Sequence, residues 1–498
     1  MNSFILPLLL LIPLIGAILS VAMSRKQEYA KYVAIICSAV TLAITLFCLY
    51  DLSNADYVYA QSSAWIDTES IKISFAVGVD GMSMLMILLT SLLVLLVSVF
   101  SSSEKDRPST FFALIMAMEV GLLGVYMAQD YFLFYIFWEV TLIPMYFLIS
   151  GWGGPRRHYA AIKFFIYTHV ASLVMLIGIF ALAMQASAGG ALDFSFEAVK
   201  AASMAGLFSP AFQLVVFGML FFGFAVKMPL VPFHTWLPDA HVEAPTAGSV
   251  LLAGVMLKMG SYGIIRVCLD VLPDGAHQWQ TAMIVLAIIA ILYGAYACIA
   301  QKDLKKMVAF SSISHMGMVL LGIAMLSGIG IQFAIFQMFA HGLITAVLFM
   351  VCGIVGHNAG TREIPLLGGL AGKMPVFAAF MMFGFLASLG LPGLVGFVAE
   401  FGIIMSFFEY LADIEVLWPI VFALASLMLT AGYYLWAMQR TLFGKETDKI
   451  DLTNVHDVSK LEGISLGVLC ALIALFGILP ALAMGLIENM PLVLWGVV

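Results

Sequence analysis

Runs of about twenty apolar residues, broken by short polar or charged stretches, recur from one end of the chain to the other. A helix needs about 20 apolar residues to cross the hydrocarbon core of a bilayer. Fourteen such runs can be drawn, at about 3–23, 30–50, 80–101, 109–128, 130–150, 160–185, 208–228, 246–270, 279–300, 306–327, 330–357, 375–409, 416–440 and 461–489. We number them spans 1 to 14. Between spans 2 and 3 the rhythm changes. The connection 51–79 ends in "IKISFAVGVDG", β-branched and alternating, which predicts a strand or hairpin lying on the membrane surface. The opening "MNSFILPLLLLIPLIGAILSVAM" has neither a basic leader nor a small-residue cleavage site, so it reads as the first span.

Composition removes the soluble alternative. The chain is 63% hydrophobic and 10% charged, where a soluble domain carries about a quarter charged residues. Its net charge of −7 matters less than where the charges lie. Of 22 Lys and Arg, 17 fall in connections that follow odd-numbered spans: Arg25, Lys26, Lys31, Lys105, Arg107, Arg156, Arg157, Lys163, Lys302, Lys305, Lys306, Arg362, Lys373, Arg440, Lys445, Lys449 and Lys460. The opposite side holds Lys72, Lys200 and Arg266 beside acids such as Asp51, Asp56, Asp67, Asp274 and Asp413. By the positive-inside rule, odd connections face the cytoplasm and both termini lie on the periplasmic side. A miscount of one span would invert this bias partway along. The six cysteines (37, 48, 268, 298, 352, 470) lie in or beside apolar runs and form no CxxC pair, so no metal or iron–sulfur site is expected.

Two cations, Lys227 and Lys258, sit inside spans 7 and 8, with Glu139 in span 5 and Glu400 in span 12. His169, His315 and His341 fall in spans 6, 10 and 11, and Glu119 and Asp130 lie near the end of span 4 and the start of span 5. Ionisable groups at membrane depth are costly, by about 2.5–3.5 kcal/mol on the insertion scale, and mark ion or proton pathways. One such group can be a helix–helix contact. Four on four helices, with imidazoles between, fit that role less well. Burial moves acids and lysines toward neutral pH, and histidine titrates there unaided, which suits a proton relay. Sodium transport would call for clustered carboxylates, and none appear. His158, His277 and His456, at loops or helix ends, read as structural.

Two spans carry helix breakers. "FFGFAVKMPLVPFHTWLPDAH", from Phe221, places Pro229, Pro232 and Pro238 after Lys227; "MFGFLASLGLPGLVGFVAEF", from Met382, places Gly390, Pro392, Gly393 and Gly396 before Glu400. Interruptions at this depth survive only where freed backbone meets protein or cavity water, and in matching positions they point to a transport path. Phe222-Gly223-Phe224 recurs 161 positions later as Phe383-Gly384-Phe385, and His169 recurs 172 positions later as His341. The fold class expected is an all-α polytopic membrane protein with about fourteen transmembrane helices and two inverted five-helix repeats. Its parts are spans 1–3 with the surface loop (1–108), spans 4–8 (109–270), spans 9–13 (279–440) and span 14 (461–498). These observations lead to an ion-translocating carrier with two half-channels.

"KMPLVPFHTWLPDAHVEAPTAGSVLLAGVMLKMGSYGIIR" (227–266), "FYIFWEVTLIPMYFLISGWGG" (134–154) and "QKDLKKMVAFSSISHMG" (301–317) resemble the antiporter-like subunits of complex I over essentially the whole chain. Within that family the M-type subunits of bacterial proton-translocating NADH–quinone oxidoreductase, counterparts of mitochondrial chain 4, fit best. L-type chains and the large Mrp-antiporter chain carry a "PDAM…PTPVSA"-like stretch where this one has "PDAHVEAPTAGSV". L-type chains extend past span 14 into a long lateral helix, whereas this sequence stops at Val498. On span 12 the L and N types carry lysine, and Glu400 matches the M type.

The resemblance implies a proton relay of Glu139 and Lys227 as an opening and closing pair, Lys258 on the central axis and Glu400 as terminal group. It implies possible relay roles for His234, His315 and His341. Asp303 and Lys306 resemble part of a family motif, though an anchor on the basic side explains them as well. With no Rossmann fingerprint, cysteine cluster or haem motif, no cofactor is expected in this chain. FMN, iron–sulfur clusters, NADH and quinone belong on partner subunits. Partners implied are other complex I membrane subunits, above all L-like and N-like homologues, and the lipid bilayer of a bacterial inner membrane. No nucleic-acid partner is implied. An Mrp-type or stand-alone cation/proton antiporter is the alternative, and a structural scaffold with vestigial charges the third reading.

Overall fold

A computed structural model of the protein describes residues 5–54, 59–411, 418–447, 449 and 455–488. Asp56 and Asp413, and residues 489–498 of the expected C-terminal part, lie outside the described residues. Among the described residues thirteen helices are long and apolar enough to cross a membrane. Span 1 is Ile5–Ala22 and span 2 Ala30–Asn54. Spans 3 to 6 are Gly81–Phe100, Pro108–Met127, Tyr131–Trp152 and Arg157–Ala186. Span 7 is Pro210–Lys227 followed, after a break, by Trp236–Glu243. Spans 8 to 11 are Thr246–Leu269, Pro273–Ile299, Leu304–Ala324 and Gly328–Asn358. Span 12 is two shorter apolar helices, Pro375–Ser388 and Val395–Leu411, and span 13 is Trp418–Thr441.

Polar residues fix where the helices begin. Asp80, Asp130, Asp303 and Ser327 each accept a backbone N–H of the first turn of spans 3, 5, 10 and 11. Ser459 and Glu462 form a reciprocal capping box at the start of span 14. Each cap satisfies N–H groups that no intrahelical carbonyl reaches. Span 14 departs from the single helix expected over 461–489: it runs Lys460–Ile478, stops, and resumes as Ala481–Glu488. Pro480 lacks an N–H and drives Leu479 out of helical geometry, and hydropathy alone does not register that.

The expected surface element is a hairpin, β1 (Tyr59–Asp67) antiparallel to β2 (Ile71–Val79), with a bulge between Ala64 and Ile66. A two-residue strand, β3 (Leu192–Asp193), adds in parallel to β2. Asp130 accepts the Ser74 N–H at 3.1 Å, fastening the sheet to the start of span 5. An amphipathic helix, Phe196–Met204, precedes span 7 and was not anticipated from the apolar runs.

Burial sorts the spans into a centre and a shell. The most apolar stretch of span 10 is entirely buried, and those of spans 8 and 11 are 94% buried, against 28% for span 2 and 22% for span 14. Spans 8 and 11 cross through glycines. A Cβ on Gly342 would lie 2.9 Å from the Gly254 carbonyl oxygen, so only two residues without side chains allow this approach.

Candidate functional site

Both broken spans stop three residues after the Phe-Gly-Phe motif, at Lys227 and at Ser388. The first break, 228–235, is not left with bare backbone: Trp236 Nε1 donates to the Val226 carbonyl at 3.0 Å. Tyr167 and Thr235 hydroxyls meet at 2.9 Å, and Lys163 Nζ donates to Asp239 at 2.7 Å across spans 6 and 7. The second break turns at Gly390 (φ 81°) and Gly393 (φ 94°), a conformation that L side chains rarely adopt. A Cβ at Gly390 would stand 2.9 Å from Glu400 Oε2, so this glycine also makes room for the carboxylate.

The four charged candidates fall into two groups. Around the first break, Glu139 Oε2 meets His169 Nδ1 at 2.9 Å and Glu139 Oε1 accepts from the Ser172 hydroxyl. Lys227, 1% exposed, makes no hydrogen bond among the described residues. Its Nζ lies 5.5 Å from the Trp138 ring centre and 5.6 Å from that of Phe164. The expected Glu139–Lys227 pair is therefore not closed in this structure: spans 5 and 6 hold the carboxylate toward His169, and aromatic faces occupy the space beside the ammonium.

The second group is continuous. Lys258 Nζ donates to the Ala253 carbonyl and, at 2.8 Å, to His341 Nδ1. The His341 and His315 ring centres are 5.4 Å apart. His315 Nδ1 meets Glu400 Oε1 at 3.1 Å, and its Nε2 meets the Ser388 hydroxyl at 3.1 Å. Ser388 bonds the Tyr434 hydroxyl at 2.8 Å, which donates to Ser311 at 3.0 Å. Lysine, two imidazoles and a carboxylate thus lie side by side across spans 8, 11, 10 and 12. His234 stands apart, its ring 4.7 Å from that of Tyr293 and its Nδ1 without a partner among the described residues.

Some of this has no signature in the apolar pattern. Span 8 is wound as a π-helix over Leu252–Met256 and again over Ile264–Leu269, with Lys258 between. A π-turn redirects carbonyls and is frequent at functional sites; Ala253, whose carbonyl Lys258 takes, lies in the first one. Ser388 and Tyr434 were also missed. A signal existed for Ser388, since it follows Lys227 by the same 161 positions as the repeated motif.

At the acid-rich side, outside the spans, Asp80 binds Arg266 and accepts the Ser83 N–H at 2.9 Å. Burial pushes this carboxyl up, but the guanidinium and the N–H outweigh it and hold it below the ordinary carboxylate value. Asp130 goes the other way: burial raises it despite three backbone N–H donors. Among the described residues no group of three or more His, Cys, Asp or Glu could hold a metal ion.

Residues 128–430 match the family described as NADH:quinone oxidoreductase/Mrp antiporter, transmembrane. The chain is 42% identical over 488 residues to the F420H2 dehydrogenase subunit M of Methanosarcina mazei, covering 97% of this chain and 96% of that one. It is 39% identical to the NADH-quinone oxidoreductase subunit M of Escherichia coli, covering 96% and 94%. A chain of respiratory complex I from Thermus thermophilus superposes with a TM-score of 0.84 at 28% identity, over 97% of this chain and 99% of that one. A chain of the Mrp complex from Dietzia sp. shares the fold at a TM-score of 0.85 and 22% identity, over 98% and 96%. With the family match over more than half its length and relatives of this similarity over nearly all of it, the chain belongs to the NADH:quinone oxidoreductase/Mrp antiporter transmembrane family, among its M-type subunits.

Proposed function

We propose that the chain carries protons across the membrane as the M-type subunit of a proton-translocating NADH–quinone oxidoreductase, with Glu139, Lys227, Lys258 and Glu400 as relay groups. The observation that carries this reading is the contiguity of Lys258, His341, His315 and Glu400 inside the most buried part of the molecule. A Lys258 ammonium gives its proton to His341 Nδ1; His341 Nε2, without a partner among the described residues, gives one up in turn. A bridging water spans the gap to His315, which exchanges with the Glu400 carboxylate. Glu139 with His169 forms a second station, separated from the first by Lys227. Closing Glu139 onto Lys227 and opening it again changes the charge that Lys227 presents to Lys258.

The inverted repeat, 109–270 against 279–440, gives each station its own broken span. The redox groups, FMN and iron–sulfur clusters, and the NADH and quinone sites belong to partner chains. That the similar Methanosarcina mazei chain is part of an F420H2 dehydrogenase accords with the electron donor being chosen elsewhere. The chain spans the cytoplasmic membrane with both termini on the outer face. L-like and N-like neighbours pack on its apolar flanks. One of them covers the Glu139–His169 pair, whose side chains are 22% and 37% exposed in a wall otherwise formed by residues such as Ile143 and Ile166.

The test is Lys258→Ala in the assembled complex, in inside-out membrane vesicles. Donor-driven acidification of the lumen is expected to fall about a hundredfold. Full pumping from a complex of normal composition overturns the reading. Sodium–proton exchange by the isolated chain in proteoliposomes would establish the antiporter alternative instead.

A further inference from the structure

One buried imidazole has no place in the relay above. His241, at the end of the second half of span 7, is fully buried, and neither ring nitrogen has a hydrogen-bond partner among the described residues. Its ring lies flat on Phe349, 4.4 Å away and 12° from parallel. Phe349 belongs to a row on span 11, His341, Thr345, Phe349, Gly353 and His357, spaced four residues apart and so on one helix face. The row starts inside, at the Lys258 partner, and ends at His357, which is exposed.

That outer end opens into a cavity of about 450 Å³ lined by, among others, Glu104, Lys105, Thr246, Gly353, His357 and Glu462. All its charged walls lie on the Lys/Arg-rich side of the membrane. Gly353 matters here, since a Cβ there would come within 2.3 Å of the Thr246 hydroxyl oxygen. Two residues before Thr246, the Ala244 carbonyl accepts from Lys305 Nζ at 2.6 Å. A buried polar side chain with unmet hydrogen bonds is costly. Here the row on span 11 leads from the cavity past His241 to the central lysine's partner, His341.

We propose that His241 is the inlet of the relay: protons pass from the cavity at Glu104, Lys105 and His357, along the seam between the start of span 8 and span 11, through His241, to Lys258. This rests on the proton-carrying reading above. The neutral imidazole takes a proton on its bare nitrogen from cavity water and releases the one on its other nitrogen inward. A Lys258 amine that has just given its proton to His341 receives it. The remaining distance, two helical turns from Phe349 to His341, is about 12 Å and is crossed by water beside the Thr345 hydroxyl.

His241→Phe keeps the aromatic stack and removes both nitrogens. In inside-out vesicles carrying the whole complex it is expected to slow donor-driven proton translocation about tenfold. Wild-type translocation in His241→Phe, with Lys258→Ala inactive alongside, overturns the inlet and leaves the relay standing. If both variants pump normally, the relay itself is wrong. Should His241→Phe fail to assemble, Thr246→Cys decides. A charged methanethiosulfonate reagent added to the Lys/Arg-rich side is expected to slow this variant and not the wild type. Equal rates before and after modification overturn the proposal.

Discussion

At Lys227 an ammonium group ends a helix with the Trp138 and Phe164 rings beside it. Cation–π contact supplies about 0.5–2 kcal/mol, less than the several kcal/mol that desolvating the charge costs. An apolar side chain of the same length would pack there at least as well. Lys227→Met is therefore expected to leave the complex as stable as the wild type, or more so by about 1–4 kcal/mol, while donor-driven pumping is lost. Thermal unfolding and vesicle acidification measured on the same preparation check both halves. Tyr434→Phe tests the other end. It strips Ser388 and Ser311 of a shared hydroxyl and is expected to cost about 1–3 kcal/mol, with slower pumping because Ser388 holds His315. Asp80 gives a pH test whose sign is fixed. Its folded value lies below the ordinary carboxylate value of about 3.9, so its contribution is complete above that pH and is lost as pH falls through the folded value. Asp80→Asn leaves Arg266 buried and unpaired, which is expected to cost about 3–5 kcal/mol at neutral pH. The difference from wild type should shrink on acidification.

Among the elements, the breaks carry the most information, and here reading the sequence succeeded and failed for separable reasons. Proline and glycine announce a break because their effect is local to the backbone, so the breaks in spans 7 and 12 are legible in the sequence. The π-turns of span 8 were not. They come from how Lys258, Gly254 and their neighbours are held against other helices, and no residue type encodes that alone. The same limit applies to partners. Glu139, Lys227, Lys258 and Glu400 stand out in the sequence because charge is rare in apolar runs, yet that Glu139 faces His169 and not Lys227 depends on helix rotation. Gly390 allows a direct test of the second break. Gly390→Ala forces a Cβ into a left-handed conformation and against Glu400. It is expected to destabilise by about 1–2 kcal/mol and to impair pumping. Gly467→Ala, in span 14 with nothing within 4 Å of the new Cβ among the described residues, is the control, expected to stabilise by up to about 1 kcal/mol. Denaturant titration of both variants makes the comparison.

For the whole molecule, the decisive arrangement is a shell of helices around the buried spans 8, 10 and 11, with the contacts that join Lys258 to His341 and His315 to Glu400 inside it. The glycine crossing of spans 8 and 11 has a consequence for how such a machine turns over. Carriers that alternate by rocking need two lobes able to swing apart, and main chains that touch at Gly254 and Gly342 leave no clearance for a swing. Transport here reduces to side-chain flips and the coming and going of water threads, with the scaffold nearly still. Turnover is then expected to vary little when the complex is moved between lipids of shorter and longer acyl chain, a change that would slow a rocking carrier.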